Sequence, residues 1–156
     1  MRFGRLAARA PGTGDADFLA ALYLATRPDL GALPVPRSVI EGIARHQQQL
    51  QLEDYARRYP GAETWLVEEE GMAVARLVLD RSEEALRVVD LAVAPAARRQ
   101  GIARELLTAL QARGGAIALR VRVENSAARA LYASLGFTVR RDEGAALELA
   151  WMGQNE

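Results

Sequence analysis

The stretch Leu91-Ala92-Val93-Ala94-Pro95-Ala96-Ala97-Arg98-Arg99-Gln100-Gly101-Ile102-Ala103-Arg104 changes its period part-way along. Up to Val93 it is apolar without alternation, which suits a strand buried on both faces. Pro95 ends that run. From Gly101 onward, Ile102, Leu106, Ala109 and Leu110 fall on one helix face, and Gly114-Gly115 stops the helix. Ala116 to Val123 is apolar again and reads as a second strand. Residues 86–123 therefore form a β-α-β unit, whose strands should lie parallel with a right-handed crossover.

Downstream, Asn125 or Ser126 caps a helix that runs to Leu135 and closes at Gly136; Phe137–Arg141 and Ala145–Trp151 are strands around Glu143-Gly144. Upstream, Thr64–Glu69 and Met72–Leu79 make a hairpin about Glu70-Gly71. Before that, Ser38 caps a long helix ending near Tyr59, and Asp15 or Asp17 caps one ending near Arg27. Between them lies an irregular proline-rich loop. Arg2–Arg9 alternates loosely and reads as a first strand. The order is β-α-α-β-β-β-α-β-α-β-β, a single mixed α/β domain over residues 1–156.

Composition narrows the function. The 20 basic residues, all arginine, balance 20 acidic ones, which argues against a nucleic-acid partner. Arginine without lysine, together with abundant alanine, reads as a GC-rich, bacterial genome. There is no cysteine, hence no disulfide, thiolate metal site or cysteine nucleophile. No apolar run approaches the ~18 residues of a membrane span, and the first residues lack a signal-peptide core. The expectation is a cytoplasmic protein without a membrane partner or a metal.

The loop before Gly101 opens a helix, where free N–H groups and the positive end of the dipole attract anions. Arg98, Arg99 and Arg104 add cations, and Gly101 and Ala103 leave the backbone accessible. The glycine-lysine pattern of a Walker loop and the three glycines of a dinucleotide fingerprint are both missing. Taken alone, the segment supports anion binding, or no more than a solvated arginine pair before an ordinary helix.

A second cluster is more specific. Arg98-x-x-Gly101-x-Ala103, followed about two dozen residues later by Asn125-x-x-Ala128-x-x-Leu131-Tyr132-x-x-x-Gly136-Phe137, resembles the GNAT N-acetyltransferase family. The resemblance implies a central mixed, largely antiparallel twisted sheet of about seven strands flanked by four helices, with acetyl-CoA as cosubstrate. It implies that the backbone of Leu91, Ala92 and Val93 pairs with the pantetheine arm. The N–H groups of Arg99, Gln100, Gly101, Ile102, Ala103 and Arg104 would hold the pyrophosphate, with Arg98 at the motif's first position. Asn125 and Ala128 would lie along the pantetheine arm, and Tyr132 would give a proton to the departing thiolate. Ala103 stands where glycine is more usual, a small-for-small exchange.

Tyr132 suits that role chemically, since a phenol stays protonated near neutral pH. Its alternative is a core aromatic on an amphipathic helix. Asp90, immediately before Leu91-Ala92-Val93, is the candidate to take the proton of an attacking amine, directly or through water. The alternative is an ion pair with Arg76 or Arg122. Glu124 is a weaker candidate. Tyr23 and Arg27 are candidate acceptor-binding residues within residues 23–45, and His46 reads as an exposed helix residue. The expected reaction is direct attack by a small-molecule or peptide amine on acetyl-CoA. The alternative is an acyl-CoA-binding sensor of the same fold without turnover. A homodimer through the C-terminal strands is compatible with either.

Overall fold

The computed structural model describes residues 1–153. Its strands are β1 (Arg2–Phe3), β2 (Leu6–Arg9), β3 (Ala62–Glu69), β4 (Met72–Asp80), β5 (Leu86–Val93), β6 (Ile117–Arg122), β7 (Thr138–Asp142) and β8 (Ala146–Trp151). The helices are α1 (Ala16–Ala25), α2 (Pro28–Gly31), α3 (Arg37–Arg58), α4 (Ile102–Ala112) and α5 (Ser126–Ser134). All eight strands join one sheet in the order β1-β2-β3-β4-β5-β6-β8-β7. Every neighbouring pair is antiparallel except β5–β6, the parallel pair that the β-α-β unit requires.

Among the described residues the sheet has one strand more than the sequence reading gives, and the helices number five rather than four. The first strand is a small hairpin, with Phe3 opposite Leu6 and Gly4 at a φ of 67° in its turn. A side chain at Gly4 would meet the Glu105 carboxylate at 2.8 Å. The additional helix is the single turn α2. Pro28 supplies its first residue, a position where the missing N–H is no loss. Two expected caps also differ. Ser38 lies inside α3, whose N-cap is Pro36, and Asp15 makes no side-chain cap to α1. Asp15 instead accepts from Gly12 N–H at 2.7 Å and pairs with Arg9.

Alternation along the strands assigns the two faces. Ala75, Leu77 and Leu79 of β4 share a buried cluster with Ile102, Leu106, Leu107 and Leu110 of α4. Arg76, one residue out of phase, reaches the other face and bonds Gln51 of α3. Helix α5 and its C-cap Leu135 complete the α4 side, with Leu131, Tyr132 and Leu135 partly buried against the same cluster. Among the described residues no helix is long and apolar enough to cross a membrane.

Candidate active site

Strands β5 and β6 stay together only briefly. Leu86, Arg87 and Val88 pair with Ile117, Ala118 and Leu119, and the register ends there although both strands continue. A bulge at Val89 accompanies the parting, because Val78 and Leu79 of β4 pair with Asp90 and Val88. β5 remains bound to β4 as far as Val93. Its other edge, past Leu91, Ala92 and Val93, is therefore left with unpaired backbone groups that require a partner. One is met locally: Arg98 Nε donates to the Val93 carbonyl at 3.3 Å.

The open edge leads into the loop before α4. Arg99 has a φ of 65° and Gly101, the N-cap of α4, a φ of 76°. A Cβ on Gly101 would touch nothing within 4 Å, so the backbone conformation, not space, selects glycine here. Among the described residues the N–H groups of Gly101, Ile102, Ala103 and Arg104 meet no acceptor. Four orphan donors at the positive end of a helix, bordered by Arg98 and Arg99, line an open hollow of about 250 Å³. The loop is fixed from behind. Arg5 Nη2 donates to the Gln100 carbonyl at 2.8 Å while the same guanidinium pairs with Glu105 and Glu69. Sequence reading passed over Arg5, because nothing local links it to a loop ninety residues away. Arg104 turns toward α5 and donates to Ser134 Oγ at 2.9 Å.

Asn125 is the cap of α5, and its Oδ1 accepts from Ala128 N–H at 3.2 Å. That bond leaves the amide NH₂ of Asn125 as a free donor type at the mouth of the parted strands. About two turns further on, Tyr132 packs against Phe137 with ring centroids 5.7 Å apart. Among the described residues its hydroxyl makes no hydrogen bond. Burial pushes the Tyr132 phenol above its ordinary value, and the charge of Asp90 pushes it further. The phenol thus keeps its proton through neutral pH.

Asp90 is paired. Arg76 Nε donates to its Oδ2 at 3.1 Å, Nη2 reaches the same oxygen, and Nη2 also donates to Gln51 Oε1 at 3.1 Å. Of the two partners considered for Asp90, Arg76 is the one that meets it. Arg122 bonds Glu124 instead, and this holds the Glu124 carboxyl below its usual range. Asp90 also acts on Tyr55 of α3, whose phenol is raised by burial first and by Asp90 second, to about 12. Asp90 therefore sits where α3 on one face and α5 on the other both approach the parted strands.

On the α3 face lies a cavity of about 380 Å³, lined by Gln51, Tyr55, Arg58, Tyr59 and residues of β5, β6 and β8. Tyr23 and Arg27 are not among its lining. Tyr23 is buried beside Leu30 and Ala44, its hydroxyl takes a hydrogen bond from Arg27 at 2.9 Å, and Arg27 also forks onto Asp29. Tyr55 and Arg87 went unnoticed in the sequence. The clue was present in Arg87, a charge within a strand otherwise read as apolar.

Comparison with known proteins places this geometry. The sequence model described as "Acetyltransferase (GNAT) domain" matches residues 60–139 of 156, a span that holds Asp90, the Arg98–Arg104 loop, Asn125 and Tyr132. No curated protein matches the sequence. Among solved structures, the chain is similar to the PaiA N-acetyltransferase of Thermoplasma acidophilum in complex with coenzyme A. That match has a TM-score of 0.67 at 15% identity, covering 94% of this chain and 98% of that one. The ribosomal-protein-S18-alanine N-acetyltransferase of Escherichia coli gives a TM-score of 0.61 at 22% identity, covering 97% and 96%. A spermidine N-acetyltransferase chimera from Vibrio cholerae and human sequences gives 0.62 at 19%, covering 95% of each. At such identities the likeness concerns the fold, whereas the sequence match spans half the chain and carries the site loop. The chain belongs to the GNAT acetyltransferase family.

Proposed function

We propose that the chain transfers the acetyl group of acetyl-CoA to an amine by direct attack of the amine nitrogen on the thioester carbonyl. The observation that carries this reading is the parting of β5 from β6 beside an anion cradle. An extended arm bearing amides can add to the free edge of Leu91–Val93 as a strand would. Its diphosphate end then meets the N–H groups of Gly101–Arg104, with Arg98 and Arg99 as cations. The Asn125 amide is a donor along the same path. The residues present fit the cosubstrate at both ends.

The chemistry assigned to this chain is positioning, charge stabilisation and proton transfer. Free N–H groups on the β5 edge face the charge that develops on the carbonyl oxygen as the C–N bond forms. Tyr132 gives its proton to sulfur as the C–S bond breaks. The proton lost by the amine passes to Asp90, directly or through water, or to bulk water. The amine enters from the α3 face, opposite the cosubstrate; Tyr23 and Arg27 remain candidate contacts for a larger acceptor.

Calorimetric titration with acetyl-CoA and with CoA tests the first half, and release of free thiol across a panel of amines tests the second. Saturable binding with thiol release from at least one amine is expected. Failure to bind either nucleotide sinks the proposal. Binding without release from any amine would leave an acyl-CoA sensor in its place.

A further inference from the structure

The cavity on the α3 face has a chemical bias. Its walls include Arg58, Arg87, Arg120 and Arg122, with Tyr55 and Tyr59, and among the described residues no carboxylate lines it. The Tyr59 ring lies between two of these cations, with the Arg58 and Arg87 guanidinium carbons each 5.9 Å from its centroid. Every one of the four arginines has an acidic partner standing outside the lining: Asp54, Glu148, Glu143 and Glu124 respectively. Only the Arg87–Glu148 pair is substantially buried. The side chains of Arg58, Arg120 and Arg122 are 51%, 49% and 75% exposed. Exposed pairs of that kind are worth little, so these guanidinium groups can exchange partners at small cost.

The other end of the cavity borders the reaction centre. Gln51 lines it and bonds Arg76, which holds Asp90. Tyr55 lines it and feels the Asp90 charge. An occupant whose amine lies toward Asp90 therefore presents its remaining groups to the arginines. Guanidinium groups bind carboxylates as planar forks, and they repel a second ammonium group. The volume lies at the low end of the ~300–1,000 Å³ typical of small-molecule sites, which suits something of amino-acid size.

Resting on the acetyl-transfer reading, we infer that the acceptor is an amine bearing a carboxylate, and that Arg120 and Arg122 select it over neutral amines and polyamines.

The test uses three amines: aspartate, the neutral isostere asparagine amide, and spermidine. Thiol release is measured with acetyl-CoA, and binding of each amine to CoA-saturated protein is measured by calorimetry. Aspartate should exceed asparagine amide by about tenfold or more in kcat/KM or in affinity, as expected for a charged hydrogen-bonded pair, with spermidine lowest. Arg120→Gln with Arg122→Gln should erase most of that ratio, leaving acetyl-CoA affinity and thermal stability unchanged. Acetylation of asparagine amide or spermidine as well as or better than aspartate overturns this inference and leaves acetyl transfer standing. Absence of thiol release from all three and from the wider amine panel, with aspartate still bound preferentially, sinks the transfer reading and upholds the carboxylate site. No preference in either measurement, or a preference that survives the double substitution, also overturns the inference.

Discussion

Arg76 and Asp90 form an ion pair in which two guanidinium nitrogens converge on one carboxylate oxygen, Nε at 3.1 Å. The pair joins β4 to β5 on the face covered by α3, and Gln51 extends it to that helix. Arg76 is 3% exposed and the Asp90 side chain 22%. Asp90 thus serves the fold whatever it does in catalysis. Removing one member strands the other, and the arginine is almost wholly buried.

Asp90→Asn should therefore destabilise the protein by about 2 kcal/mol, less than the ~3–5 of a fully buried pair because Asp90 is partly wet. Adding Arg76→Met should recover part of that loss, since the stranded charge disappears. Urea unfolding of the two single variants and the double variant measures the coupling. Equal stability of Asp90→Asn and wild type would show that the pair carries no structural weight. Loss of turnover in Asp90→Asn is evidence for a proton acceptor only after this stability change has been accounted for.

The Tyr55 phenol gives a pH signature. Its folded-state value lies near 12 against an ordinary 10.0, raised by burial and then by Asp90. Below pH 10 both folded and unfolded chains hold the proton, and the contribution to stability is constant. Above pH 10 the unfolded chain ionises first, so stability falls as pH rises toward 12. Tyr55→Phe should flatten the decline in unfolding free energy between pH 10 and pH 12. Parallel curves for variant and wild type across that window would rule out the buried phenol.

The strand-loop-helix around Gly101 and the helix from Ser126 were legible in the sequence because their periods and caps are local. The hairpin at Glu70-Gly71 was legible for the same reason. What was not legible depends on distance along the chain. Splitting of the first strand occurs at the left-handed turn of Gly4, where a side chain would meet the Glu105 carboxylate. The hold of Arg5 on the Gln100 carbonyl spans the same two segments. The choice of Arg76 over Arg122 as partner of Asp90 rests on strand register, which alternation alone does not fix. The cavity on the α3 face was missed because its arginines come from α3, β5 and β6 and converge only when the sheet forms.

Tyr132 divides two roles cleanly. Its ring packs on Phe137, while its hydroxyl has no partner among the described residues. Tyr132→Phe keeps the ring contact, so unfolding free energy should shift by less than about 1 kcal/mol. Turnover should fall by about 100-fold if the hydroxyl protonates the leaving thiolate, within the range for general acids. The raised phenol places any alkaline loss of rate from its ionisation above pH 10, and the variant should lack that limb. Unchanged kcat at every pH would reduce Tyr132 to a packing residue.

Arg99 and Gly101 occupy the same left-handed region, at φ values of 65° and 76°, for different reasons. Gly101 tolerates the conformation freely, whereas Arg99 is held there at a cost of about 1–2 kcal/mol. Arg99→Gly relieves that strain but loosens the unfolded chain by about 0.5–1 kcal/mol, so stability should hold or rise slightly. Gly101→Ala meets no steric clash yet must adopt the strained angle, and should lower stability by about 1 kcal/mol. Affinity for acetyl-CoA should fall in both, through loss of a cation in one and displacement of the N–H cradle in the other. Only Arg99→Gly should also weaken the salt dependence of binding, because it alone removes a charge. Thermal unfolding with calorimetry at two salt concentrations separates the effects. Unaltered affinity in both variants would remove this loop as the diphosphate site, since two changes of opposite kind would then have left its supposed ligand untouched.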